Sequence, residues 1–191
     1  DGRGARIVVH VRRGDVNAAQ GTSHSRFRSD RFSLGLALFA VANVGPGPVS
    51  VDLHTEIGFG QAAKEVWARA LAGARPGARL RVHTDSTTVR GALEAMATAD
   101  VLIPTRSGLS ALAGILSCGI KLGPAWYGQL PERHLVYDLQ NASDDRVRRD
   151  KAGHGEVARD VGRFGEVFRA MWREREACRA LGPGACCALP P

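Results

Sequence analysis

Short runs of β-branched residues alternate along this chain with longer stretches whose apolar positions recur every three to four residues. Ile7, Val8, Val9 and Val11 form the first run, and a continuous apolar run of this length is what a strand buried on both faces requires. Val49, Val51 and Leu53 predict a second strand and Leu80 with Val82 a third. Residues 100–103 predict a fourth, 119–122 a fifth and 135–137 a last one. Helices are expected between them. One covers 31–43, capped by Asp30 and stopped by Gly45-Pro46-Gly47-Pro48; one covers 61–73, with Ala62, Val66, Trp67, Ala70 and Leu71 on one face; one covers 88–98, capped by Ser86 or Thr87. A further helix opens at Ser107 and turns Leu109, Leu112, Ile115 and Leu116 inward. The stretch 144–179 carries Val157, Val161, Phe164, Val167, Phe168, Met171 and Trp172 at helical spacing among many charges. Strand and helix patterns that alternate in this way predict an α/β fold, a parallel sheet covered by helices.

Polar residues gather where the predicted strands end. The first strand runs into His10, Arg12, Arg13, Gly14 and Asp15. Ligands of open α/β sheets bind at that carboxyl edge. Arginine is a planar, permanently charged donor whose fork matches phosphate oxygens. Asp15 can orient one guanidinium and Gly14 allows a sharp turn. The same residues also suit a solvated surface ion pair, which contributes little. The polar loop 16–30 follows, with His24, Arg26 and Arg28. The second strand ends at His54-Thr55-Glu56, where Glu56 can accept hydrogen bonds from a ligand or act as a base. The third runs into His83-Thr84-Asp85, and the carboxylate of Asp85 can accept the paired N–H donors of guanine. The fourth leads to Ser107-Gly108-Leu109-Ser110 at a helix start, where free N–H groups and hydroxyls suit a phosphate, or where Ser107 acts as a helix cap alone.

The chain has 191 residues, 44% of them hydrophobic, which is enough for one domain with a core. Its formal charge is +7. Residues 1–31 hold seven arginines against three aspartates, so much of the excess surrounds the first strand end. A basic cleft favours an anionic ligand. Aromatic residues are only 6% and are not interleaved with the basic ones, so a stacking surface for nucleic acid is not expected. Of the four cysteines, Cys118 lies in an apolar segment and reads as a small buried hydrophobe. Cys178, Cys186 and Cys187 either form a disulfide in an oxidising compartment or stay reduced.

His-Val-Arg-Arg-Gly-Asp at 10–15 resembles the first motif of the GDP-fucose-dependent fucosyltransferase superfamily, which includes the α1,2-, α1,6- and protein O-fucosyltransferases. Residues 99–119 resemble that superfamily's later motif, in which an Ala-Asp-x-Leu strand leads into a Ser-x-x-Ser helix start. The two motifs stand in the same order here, and the resemblance covers residues 6–127. The superfamily usually shows Ser-Ser where this chain has Ser107-Gly108. In its α1,6 branch a base-binding acid aligns with Ala92.

The resemblance implies a Rossmann-like donor-binding half of a GT-B glycosyltransferase over residues 1–140. A charged amphipathic helix and loose tail would follow over 141–191, and an acceptor half would precede residue 1. It implies inverting, metal-independent fucosyl transfer from GDP-fucose to a glycan or protein acceptor, with no cofactor. Arg12 would be the catalytic arginine that grips the β-phosphate. His10, Arg13, Asp15, Asp85, Ser107, Gly108, Leu109 and Ser110 would line the GDP-sugar site. The setting would be the secretory lumen in a eukaryote or the cytoplasm in a bacterium. Two other readings remain open: a non-catalytic carbohydrate- or nucleotide-binding relative, and a basic nucleic-acid-binding α/β domain.

Overall fold

A computed structural model describes residues 4–13, 29–55, 59–84, 88–123, 134–136 and 151–180, the side chains of 134–136 and 151–164 excepted. Six strands make one sheet: β1 (Ala5–Val11), β2 (Val49–Thr55), β3 (Arg79–His83), β4 (Val101–Ile103), β5 (Ile120–Gly123) and β6 (His134–Val136). Every neighbouring pair is parallel. The order is β3-β2-β1-β4-β5-β6. This is a Rossmann-like α/β arrangement, and its strand order reverses between β1 and β4, the place where such sheets open a crevice for ligands. The helices are α1 (Asp30–Asn43), α2 (Gln61–Ala74), α3 (Val89–Ala97), α4 (Gly108–Leu116) and α5 (Lys151–Ala180).

β1 is central and apolar because it is covered on both sides. Ile7, Val9 and Val11 join Val51 and Leu53 under Ala37, Ala40 and Val41 of α1, Trp67 and Leu71 of α2, and Phe168 and Trp172 of α5. Val8, on the other face, packs with Leu102 against Met96 of α3 and Ala113 of α4. The rings of Phe39 and Phe168 meet edge to face at 5.4 Å, locking α5 onto α1. α5 is also held by charge. Asp100, before β4, accepts from Arg175 at 3.5 Å and lies 3.4 Å from Arg179, while its Oδ2 takes the backbone N–H of Arg6 at 2.9 Å. Arg75, just past α2, donates to the carbonyls of Val41, Val44 and Gly45 and so caps the end of α1.

Several expectations are corrected. Ser29, not Asp30, caps α1, accepting from the N–H of Phe32 at 3.2 Å. Two good capping residues stand side by side, and Asp30 is drawn instead to Arg13. Thr88 caps α3 through the N–H of Gly91 at 3.0 Å, in place of Ser86 or Thr87. On α2, Ala62 and Val66 point outward and Ala63 packs beside Trp67. On α5, Val167 is turned to solvent beside buried Phe168.

The largest change is on α4. Leu112, Ile115 and Leu116 face solvent at 45%, 59% and 53% exposure, while Ser110, Ala113 and Gly114 face inward. This helix is apolar on every side, so its periodicity does not fix its rotation. The small side chain of Ala113 packs with Val8 and Leu102. Cys118 is not a plain buried hydrophobe: it is half-buried and disulfide-bonded. Cys178 is a buried thiol of α5. Cys186, Cys187, the tail from 182 on and the exit segment 124–127 lie outside the described residues. Among the described residues, no helix is long and apolar enough to cross a membrane.

Candidate functional site

The two ends of the strand-order reversal meet side chain to side chain. His10, the next-to-last residue of β1, places Nδ1 2.5 Å from Oγ of Ser110 in the first turn of α4, with Oγ1 of Thr105 at 3.4 Å. Ser107 is the cap of α4. Its Oγ accepts the N–H of Ser110 at 3.2 Å and donates to Oγ of Ser110 at 3.2 Å. The three side chains thus form one hydrogen-bonded chain: Ser107 donates to Ser110, and Ser110 Oγ shares the short contact with His10 Nδ1.

Burial pushes His10 down to about 4, assisted by the nearby His54 and by the positive charge of Arg12. The ring is thus neutral at physiological pH. The backbone N–H groups of Gly108 and Leu109 open the helix, where the macrodipole favours an anion. Gly108 has open space where a Cβ would stand, so sterics do not demand a glycine there. Leu109 is half-buried and packs on the α3–α4 side of the sheet.

Arg12 lies immediately beyond β1 and is half-buried. Its influence on His10 places its charge at the same strand end. Arg13 turns elsewhere. Its guanidinium pairs with Asp30 at the start of α1 and donates to the carbonyl of Arg12 at 3.2 Å. It ties the strand end to the next helix, as alternation along a strand requires of the residue after Arg12. His10, Ser107 and Ser110 therefore come together beside Arg12, while Arg13 does not join them. Asp15, Asp85, Glu56, His24, Arg26 and Arg28 lie outside the described residues.

A second polar cluster lies on the same sheet face and was not anticipated. His10, His54 and His83 are exact register partners across β1, β2 and β3. The rings of His54 and His83 stack at 4.4 Å with 9° between planes. His54 is 5% exposed, and neither ring nitrogen has a hydrogen-bond partner among the described residues. Burial, then the neighbouring His83, holds it at about 4, so it too is neutral.

Two residues earlier on β2, Asp52 is 1% exposed. Its carboxylate accepts Nε of Arg6 at 2.9 Å, Nη2 of Arg81 at 3.1 Å and Nε2 of His83 at 3.2 Å, with Nε of Arg81 in ion-pair contact at 2.7 Å. Burial alone would raise its pKa, but these hydrogen bonds and charges outweigh that and lower it below the usual carboxylate value. The signal in the sequence was Val-Asp-Leu-His, a charge inside an otherwise apolar strand; which arginines met it depended on strand order. Among the described residues, no group of three or more histidine, cysteine, aspartate or glutamate side chains converges for a metal ion. No model of a known protein family matches the chain, and no curated protein does either.

Proposed function

We propose that this domain binds the diphosphate of a nucleotide sugar and is the donor half of a transferase that moves fucose from GDP-fucose to a glycan or protein acceptor. The observation that carries this reading is the His10–Ser110 contact, which joins the end of β1 to the first turn of α4 at the reversal of strand order. Both stretches that resemble the fucosyltransferase motifs therefore contribute to one place.

The chemistry suits that place. As the bond from sugar to diphosphate breaks, negative charge grows on the leaving oxygen and positive charge on the sugar. Arg12 and the first N–H groups of α4, those of Gly108 and Leu109, are donors fixed before the reaction, so they stabilise that charge without reorganising, while Ser107 and Ser110 are bonded to each other and to His10 and hold the helix start in place. Neutral His10 holds Ser110 in place without adding a charge of its own. The disulfide at Cys118 supports an oxidising, lumenal setting.

Calorimetric titration of GDP into the intact polypeptide tests the reading. A saturable signal that weakens at least about tenfold in Arg12→Ala is expected, the loss of one charge-assisted contact. No heat with the unaltered protein, or undiminished affinity in Arg12→Ala, overturns it.

A further inference from the structure

His83 and Asp52 form a carboxylate–imidazole pair that the phosphate clamp does not use. Nε2 of His83 lies 3.2 Å from Oδ1 of Asp52, an acceptor-only carboxylate, so that nitrogen donates and Nδ1 is the one left to serve as a base. Among the described residues, none bonds Nδ1. Three features fix the ring: the buried carboxylate below it, the stacked ring of His54, and its place as the last residue of β3. β3 is an edge strand, and the side chain is 35% exposed. A base oriented by a buried carboxylate and reachable from solvent is the arrangement by which proteins activate a hydroxyl.

The charges around it are net positive, two guanidinium groups against one carboxylate. Asp52 faces Arg6 of β1 and Arg81 of β3 as well as His83, and the neighbouring His54 is neutral. A proton arriving on His83 therefore meets a carboxylate already bound by two guanidinium groups. The exposed edge lets that proton leave to water.

The spacing fits as well. Strands stand ~4.8 Å apart, so the backbones of His83 and His10, each paired with His54 between them, lie roughly 10 Å apart. With the attacking oxygen ~3 Å from the anomeric carbon and a base ~3 Å from that oxygen, the base of an in-line transfer stands roughly 8–9 Å from the leaving phosphorus.

We propose that His83 is the general base that takes the proton of the acceptor hydroxyl, with Asp52 as its positioning residue. In the step, the acceptor oxygen bonds to the anomeric carbon. The bond from that carbon to the β-phosphate oxygen breaks, and its electron pair leaves with GDP. The acceptor proton passes to Nδ1 of His83 and then to water. This assignment rests on the donor-site reading above.

The test uses the intact polypeptide with GDP-fucose, water serving as acceptor. GDP release reports turnover, and calorimetry with GDP alone reports the donor site. His83→Gln keeps a group that can donate to Asp52 but has no base. It is expected to bind GDP within twofold of the unaltered protein while turnover falls about 100-fold or more, the usual share of a general base. His83→Ala is expected to regain turnover when imidazole is added. Unchanged turnover in His83→Gln overturns the assignment. So does an unaltered protein that binds GDP and never releases it from the sugar, although the donor site then stands. An unaltered protein that does not bind GDP overturns the donor site and this step together.

Discussion

The two faces of the sheet are built on opposite terms. Against α1, α2 and α5 lies an apolar layer, with Ile7, Val9, Val51, Leu53, Trp67, Leu71 and Phe168 all at 1% exposure or less. Against α3 and α4 the same strands present Arg6, Val8, His10, Asp52 and His54, with Arg81 and His83 from β3 beside them. One side is held by area removed from water, whereas the other adds hydrogen bonds and paired charge to a smaller apolar patch of Val8, Leu102, Met96 and Ala113. Neighbouring residues of one strand take part in each, because side chains alternate across a sheet. The lesson is a division of labour: the apolar face fixes where the strands run, and the polar face uses that precision to hold groups at the carboxyl edge.

The sharpest way to break the contrast is to empty the apolar side. Phe168→Ala removes a fully buried ring that touches Phe39, and the expected loss is ~3–5 kcal/mol in urea unfolding. A loss under ~1 kcal/mol would mean that α5 is not part of the core.

The polar side is tested by pH. His10 and His54 stand at about 4 in the folded chain against 6.5 when unfolded. Between those values the unfolded state binds more protons, so stability is full above pH 6.5 and declines as pH falls toward 4. A decline of ~4–5 kcal/mol for the two rings together is expected between pH 7 and 4.5, and His54→Phe roughly halves it. A flat profile in the unaltered protein would show that these rings are not buried neutral.

Asp52→Ala comes next, at ~2 kcal/mol, since it strands Arg6 and Arg81 but both retain access to water. The asymmetry of α4 gives the smallest effect. Leu112→Ser on its outer side changes stability by no more than ~0.5 kcal/mol, whereas Ala113→Leu on its inner side costs ~1–3 kcal/mol by overpacking. Equal effects in thermal melts would put the helix in the other rotation.

Those predictions mark what could be read from sequence and what could not. β1 was legible because the unbroken run Ile7-Val8-Val9 marks a strand covered on both sides, with the polar Arg6 and His10 confined to its flanks. That the end of β1 and the start of α4 lie at one sheet edge was legible in outline, because a strand end and a helix start are both local features and the resemblance supplied their order, but the His10–Ser110 hydrogen bond itself was not. The rotation of α4 was not, since Leu109, Leu112, Ile115 and Leu116 mark a face only if some other face is polar. The Asp52 cluster was hidden for a different reason. Its partners Arg6, Arg81 and His83 come from strands that become neighbours only when β2 is placed between β1 and β3. No spacing along the chain encodes that placement. The capping of α1 by Ser29 turned on a competition for Asp30 that Arg13 decided.

The Asp100 anchor carries a practical consequence for anyone trimming this polypeptide. Both guanidinium groups on that carboxylate come from the last two turns of α5, and the aromatic plug on the far side of the sheet comes from the turns before them. A version ending after β6 would keep every strand and still lack a wall, leaving a buried acid without its counterions and an open slot beside Phe39. Shortening from the carboxyl terminus thus has a floor at Arg179, well past the last strand.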